Sequence, residues 1–487
     1  MPSTSSNLSP IRKYILTLTL ITSLSGIGGG TLYLYGTGQT LPSKIQVAGW
    51  KVGGMSYMQF QQQLDQKLQR YASIKVQLSS PDTEVAAKDM TLEQLGLVIQ
   101  REQLDDTLKH LFHASIEDRI AARWSLRKAK IPLSVSIDAS KLNAAVKQGW
   151  KEIYDRQPVA ARRIVKPDDS IQYEPERSVV RLDTITLLKE LEAQLPSIAT
   201  ISDEQTTLKV SLPLYKEQPA ITVDALTNQG IERKISEFTT SFPLSGAGRI
   251  HNIRSTATSI QDMLLAPGET FDYSKIIEQT ETKFGYQEAP VILNGKLVPG
   301  IGGGICQVST TLYNAVLRSG LAIVERRNHS LPVSYVPLGQ DATFAGGYIN
   351  FKFRNTTDAY LLIRTLTTDR DVTVKLFGRM PSSTTYDVES KIIETIQPTI
   401  KYLHNPSISR GSIKPISTGK EGYVVETYRY KKENGSVVSK ELISKDRYSP
   451  VPALVASNRS DIKPDEGSQG ENGKPILEDG VKGPNFR

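Results

Sequence analysis

The spacing of apolar and polar residues divides this chain into stretches of different character. Between residues 37 and 240 one theme recurs: a short β-like run ends in Asp, and an amphipathic helix follows. It is seen in "LSVSIDASKLNAAVKQGW" (133–150), "SVVRLDTITLLKELEAQL" (178–195) and "AITVDALTNQGIERKISEF" (220–238). Asp138, Asp183 and Asp224 stand where helix N-caps are expected, because a short acceptor side chain takes up a free backbone N–H there. Ile185, Leu188, Leu191 and Leu195 share one face of the second helix. These repeats predict small α+β modules that serve as scaffold. Trp124 and the basic run "AARRIVK" (160–166) read as packing and solvated surface.

From about Ser241 the pattern shifts toward turns and strands. "YINFKFRN" alternates Ile349, Phe351 and Phe353 with polar residues, and "YLLIRTLTTDRDVTVKLFG" predicts two strands joined at "TTDRD". "YVVETYRYKKENGSVVSKELIS" predicts a hairpin with Asn434-Gly435 at its turn. Residues 458–487 are rich in Gly, Pro and charge and almost devoid of large apolar residues, which predicts a disordered tail. The fold class expected from these patterns is multidomain α+β, with a small β-rich module over 388–457.

One stretch fits none of these patterns. Residues 14–35, "YILTLTLITSLSGIGGGTLYLY", carry no charge over 22 positions, enough to cross about 30 Å of hydrocarbon as a helix. Arg12 and Lys13 precede it, so residues 1–13 are expected in the cytoplasm and everything after the span outside. A cleaved signal peptide is the alternative; the lack of an A-x-A site after it favours an uncleaved, single-pass anchor.

Composition narrows the classes of function. A net charge of +8 is spread along the chain with few interleaved aromatics, which points to an anionic wall or membrane surface and away from nucleic acid. A single cysteine among 487 residues excludes an internal disulfide framework and any cysteine-cluster metal site, and no cofactor or metal is expected.

That cysteine, Cys306, lies in "GIGGGICQVSTTLYNAVLRSG" (300–320). Val308, Leu312 and Val316 mark a helix after it, and Gly320 is a natural terminator. Cys306 is therefore expected at a helix start, where unpaired N–H groups favour a thiolate and lower the thiol pKa. Gly303, Gly304 and Ile305 would let a substrate approach closely and offer amides to an oxyanion. His329, in "ERRNHSLPVSY", can return beside Cys306 after the helix and a short strand, making it the expected general base. His251 is the competing base. Asp341 is the expected partner of the imidazole and Asn328 a weaker one, while Ser309 and Tyr313 are candidates for the wall of the site. The competing reading is a lone cysteine buried as a small hydrophobe.

Three further segments carry a family resemblance. "RIHNIRSTATSIQDMLLAPGETFDYS", "GYQEAPVILNGKLVPGIGGGICQVSTTLYNAVLRSGLAIVERRNHS" and "YVPLGQDATFAGGYINFKFRN" occur in the order found in VanW domains, and residues 241–380 resemble that family. Residues 37–240 resemble the peptidoglycan-binding repeats that often precede it. Residues 388–457 resemble the five-glycine module of cell-wall proteins, through Gly411, Gly419, Gly422 and Gly435. The resemblance implies work on peptidoglycan stem peptides in a Gram-positive-type envelope. It implies L,D-transpeptidase activity through a cysteine, which falls on Cys306, and a histidine, which falls on His329. A non-catalytic wall-binding or assembly protein is the alternative. Where the family often carries Asp before the "FKF"-like strand, this chain has Asn350, which leaves any carboxylate role there to Asp341.

Overall fold

The computed structural model describes residues 29–201, 207–243, 245–293, 296–459 and 476–481. Most of the expected membrane anchor (14–28) lies outside the described residues; residues 29–37 are helical. Among the described residues no helix is long and apolar enough to cross a membrane.

The chain forms two compact units, Met1–Val159 with Glu176–Ala220, and Ala160–Pro175 with Ile221–Arg487. In the first, strand Lys75–Ser79 lies between Lys88–Thr91 (antiparallel) and Thr207–Ser211 (parallel). The expected caps form at two positions: Asp138 accepts from Lys141 N–H, and Asp183 from the N–H groups of Ile185 and Thr186. At the third repeat Thr222 takes the cap and Asp224 falls inside the first turn. The helix Thr184–Gln194 buries Leu187 and Leu191, four residues apart, while Ile185 is 69% exposed. Of the expected face, Leu191 is fully buried and Leu188 and Leu195 pack against the core, while Ile185 in the capped first turn is left outside it.

The second unit starts earlier than the sequence patterns suggest. Strand β1 (Arg233–Ser241), expected as the end of a scaffold repeat, pairs with β9 (Asp371–Gly378) in a four-stranded antiparallel sheet. β8 (Leu361–Thr367) and β2 (Met263–Leu265) complete that sheet in the order β1-β9-β8-β2. The hairpin Arg162–Val165 with Ile171–Glu174 also belongs to this unit. Lys234 and Lys375 both bridge to Asp169 in its turn, at 2.5 and 2.6 Å.

Against the sheet lie α1 (Ala247–Ile260) and α3 (Ile305–Leu317), and α2 (Tyr273–Phe284) packs on α1. Every residue of α3 is buried. Its apolar positions join the core with Phe351 and Phe353, each worth about 1.5–3 kcal/mol of burial. Most of its polar side chains find hydrogen-bond partners, as buried polar groups require, while Tyr313 Oη is buried with none among the described residues. Thr311 donates to Gln307 O, Asn314 to Thr310 O and Gln340 O. A second antiparallel sheet joins β3 (Thr270–Asp272), β7 (Lys352–Arg354) and β6 (Ala322–Glu325).

The remaining strands make two small sheets. β10 (Thr384–Ile396), β13 (Gly422–Glu433) and β14 (Ser436–Tyr448) form one. β11 (Ile400–His404), β15 (Ala453–Ser457) and β12 (Ile413–Ser417) form the other. The β13–β14 turn is the expected Asn434-Gly435, both at positive φ (50° and 80°), matching the twist of a hairpin. The expected disordered tail is corrected in one part. β16 (Leu477–Glu478) adds to the sheet of β4 (Glu288–Leu293) and β5 (Lys296–Ile301), with Ile292 opposite Glu478 and Leu293 opposite Leu477. Its backbone N–H and C=O groups find partners on that sheet edge, which composition alone does not reveal.

Candidate functional site

The glycine run before Cys306 is required by the backbone it must make. A side-chain carbon on Gly303 would lie 2.3 Å from the carbonyl oxygen of Pro290. Gly304, the N-cap of α3, sits at φ +109°, a region L-residues avoid. The chain then enters α3 with the N–H groups of Gly304 and Cys306 pointing the same way. Both donate to one carboxylate oxygen of Asp479, at 3.1 and 2.8 Å. The other oxygen meets Arg249 Nη1 at 3.1 Å, and Arg249 is held by Gln307 Oε1 at 2.9 Å. The N–H of Ile305 is spent on Gly302 O at 3.3 Å, so it does not face the anion. The anion-holding amides are those of 304 and 306, while Gly303 contributes closeness and a carbonyl that takes Asn252 Nδ2 at 3.0 Å.

Cys306 is fully buried. Its Sγ accepts from Phe344 N–H at 3.0 Å. Burial, followed by the Asp479 carboxylate, pushes its thiol well above the usual value, overriding the N–H of Phe344. The lowered pKa expected from the helix start is therefore not realised while a carboxylate already occupies those amides.

His329 comes back to the same face of α3 through the segment 341–344. Asp341 accepts from His329 Nδ1 and from His329 N–H, both at 2.6 Å. One residue further, Ala342 takes a hydrogen bond from Ser309 Oγ (2.6 Å) and gives one to Thr310 Oγ1 (3.0 Å). Phe344 then reaches the Cys306 sulfur. The partner of His329 and the partner of Cys306 are thus three residues apart on one segment, at most about 10 Å of chain. His329 Nε2 is buried and without a hydrogen-bond partner among the described residues, as is Tyr335 Oη. Burial disfavours the imidazolium, but Asp341, with Asp479 and Glu478 adding charge, leaves the His329 pKa raised. Asp341, although buried, is held down at about 2 by His329 and Arg326. Its Oδ1 also accepts from Tyr448 Oη at 2.5 Å and Arg326 Nη2 at 3.3 Å. Arg326 in turn grips Asp446 at 2.6 and 2.7 Å, so β14 braces the pair.

Three candidates are placed elsewhere. His251 Nε2 faces the carbonyl of Gly285 at 3.0 Å, at the end of α2. Asn328 binds the carbonyls of His329 and Arg447, not the imidazole. Asn350 bonds Asp272 at 2.7 Å and accepts from Phe351 and Ser274 N–H, which makes it a turn-fixing residue. Ser309 has its hydroxyl spent on backbone carbonyls. Tyr313 packs edge-on against Phe351, with Arg326 over its ring, and burial pushes its phenol up to about 12. Arg249, Tyr335, Glu478 and Asp479 were not anticipated. For Arg249 the signal was its place two residues from His251; for the two acids there was none beyond adjacent charges in a polar tail. Among the described residues no group of three or more His, Cys, Asp or Glu side chains is placed to hold a metal ion.

Residues 248–377 match the family described as "VanW like protein". A Bacillus subtilis (strain 168) protein, "Uncharacterized protein YoaR", is 32% identical over 234 residues, covering 48% of this chain and 73% of that protein. The chain belongs to the VanW family. The "Vancomycin B-type resistance protein VanW" of Enterococcus faecalis (strain ATCC 700802 / V583) is 28% identical over 154 residues, 31% of this chain and 56% of that one. Around the VanW domain, residues 387–457 match the "G5 domain" and residues 89–199 the "Putative peptidoglycan binding domain". The solved "IgA1 Protease G5 domain structure" is 27% identical and covers 15% of this chain and 87% of its own, with a TM-score of 0.13. The VanW match contains Cys306, His329, Asp341 and Arg249, but neither Tyr448 nor Asp479.

Proposed function

We propose that this VanW-family protein works on peptidoglycan outside the membrane as a cysteine L,D-transpeptidase. The VanW, peptidoglycan-binding and G5 matches support a cell-wall-associated protein. The uncharged stretch 14–35 would hold it at the membrane, single-pass. The observation that carries the catalytic reading is the pairing of the Gly304 and Cys306 amides, already gripping a carboxylate, with a buried His329–Asp341 pair whose Nε2 has no partner among the described residues.

In this reading His329 Nε2 takes the thiol proton, and Cys306 Sγ attacks the carbonyl carbon of the third residue of a donor tetrapeptide stem. The carbonyl electrons move to oxygen, held by the N–H groups of Gly304 and Cys306. The intermediate collapses, the peptide C–N bond breaks, and D-alanine leaves with the proton from His329. The side-chain amine of an acceptor stem then attacks the thioester, giving a 3-3 amide and returning the proton to sulfur through His329. Asp341 fixes the imidazole so that Nε2 is the nitrogen presented.

Full burial of Cys306 favours a second reading, in which the domain binds wall without catalysis and the thiol belongs to the core. Muropeptide analysis separates the two. Wild-type protein is expected to form 3-3 cross-links and Cys306→Ala none; cross-links that survive the substitution remove Cys306 as the nucleophile, and their absence from the wild type favours the binding reading.

A further inference from the structure

The segment Ile476–Val481 lies along the groove at Cys306 as a peptide ligand would. Leu477 and Glu478 extend the β4 edge as an added strand. Asp479 N–H donates to Phe344 O at 3.4 Å, Gly480 bridges to Ala345, and Val481 N–H donates to Ile301 O at 2.8 Å. The strand is thus threaded between the β4–β5 hairpin and the residue that holds the Cys306 sulfur. Its two adjacent carboxylates reach both ends of the site. Asp479 fills the cradle of Gly304 N–H, Cys306 N–H and Arg249, while Glu478 Oε2 accepts from Ser330 N–H and Oγ, at 3.0 and 3.1 Å, next to His329. Both acids are almost fully covered, at 7% and 6% exposure. Asp479 reaches its cradle at φ +58°, and a side chain on Gly480 would strike Val291 at 2.5 Å, so this sequence is fitted to the groove.

We propose that Ile476–Val481 is an in-cis occupant of the Cys306 groove, and that its release opens the groove to an extended peptide carrying a carboxylate. In this reading the docked strand shields the thiol; it occupies the amides that would receive developing negative charge and brings an acid beside Cys306. Burial and that acid are the two largest causes holding the thiol protonated. Release removes both. The ligand admitted in its place meets the same chemistry: a β-strand edge for its backbone and an Arg249-backed amide pair for its carboxylate.

The single cysteine makes the test direct, and it needs no catalysis, so it stands apart from the acyl-transfer reading. Labelling of Cys306 by a small thiol reagent at neutral pH is compared in the full chain, a chain ending at Arg459, and full-length Asp479→Asn. The shortened chain is expected to label at least about tenfold faster, the factor that follows if the docked strand shields the thiol in nine molecules of ten. Asp479→Asn is expected to fall between the two. A synthetic peptide of residues 474–483 should slow the shortened chain again, and the same peptide with Asn at 479 should not. Unchanged labelling in both variants, or a shortened chain that has lost its cooperative unfolding and ignores the peptide, overturns the proposal.

Discussion

Replacing Asp341 by Asn tests the bracing of His329 at nearly constant volume. The carboxylate accepts from His329 twice, from Tyr448 and from Arg326. An amide keeps an acceptor on one side and turns a donor toward the other, and its charge is gone. A pKa held at about 2 instead of the ordinary 3.8 corresponds to about 2 kcal/mol of stability at neutral pH. Disrupting a buried, charged hydrogen-bond partner adds to this, so a loss of about 3 kcal/mol is expected at pH 7. The pH dependence has a definite sign. A carboxylate with a depressed folded pKa contributes above its unfolded value and loses that contribution as pH falls through the folded one. The charge-dependent part of the difference between wild type and variant should therefore halve, to about 1 kcal/mol, by pH 3. Exposure of the Cys306 thiol in urea reports this unit, since all three tryptophans (50, 124 and 150) lie in the other. A loss below about 1 kcal/mol at pH 7, or a difference that stays constant down to pH 3, refutes the reasoning.

Two further outcomes follow from the same geometry. His329→Ala should cut 3-3 cross-link formation by about 10²-fold or more while the purified protein keeps its thiol buried; comparable turnover in a cross-linking assay would remove His329 as the base. Gly303→Ala puts a methyl group 2.3 Å from Pro290 O, where backbone must move, and should destabilise this unit by more than about 3 kcal/mol in urea, with a neutral result showing that the β4–α3 approach is slack.

Much of the local structure was legible because it is set by short-range rules. The Asn434-Gly435 hairpin, the Asp138 and Asp183 caps and the buried Phe351 and Phe353 follow from turn chemistry, capping and alternation. Asp224 and Ile185 departed from expectation because a neighbouring Thr222 competed for the cap and because tertiary packing fixed which positions of the helix met the core.

The sequence alone determined that one cysteine would follow a glycine run at a helix start, that a histidine and an aspartate lay downstream, and that the chain resembled VanW domains. Those are properties of neighbours in the chain. Tertiary structure decided which amides face the anion, that His251 is turned to Gly285, and that Asp341 is clamped by Arg326 and, from the G5 segment, by Tyr448. It also decided that Cys306 is fully buried and that Asp479, from a polar tail, claims its N–H, which together reverse the direction expected for its pKa. A helix start favours a thiolate only while its N–H groups are unclaimed, and whether a residue 173 positions away claims them is fixed by strand pairing, which no local pattern encodes.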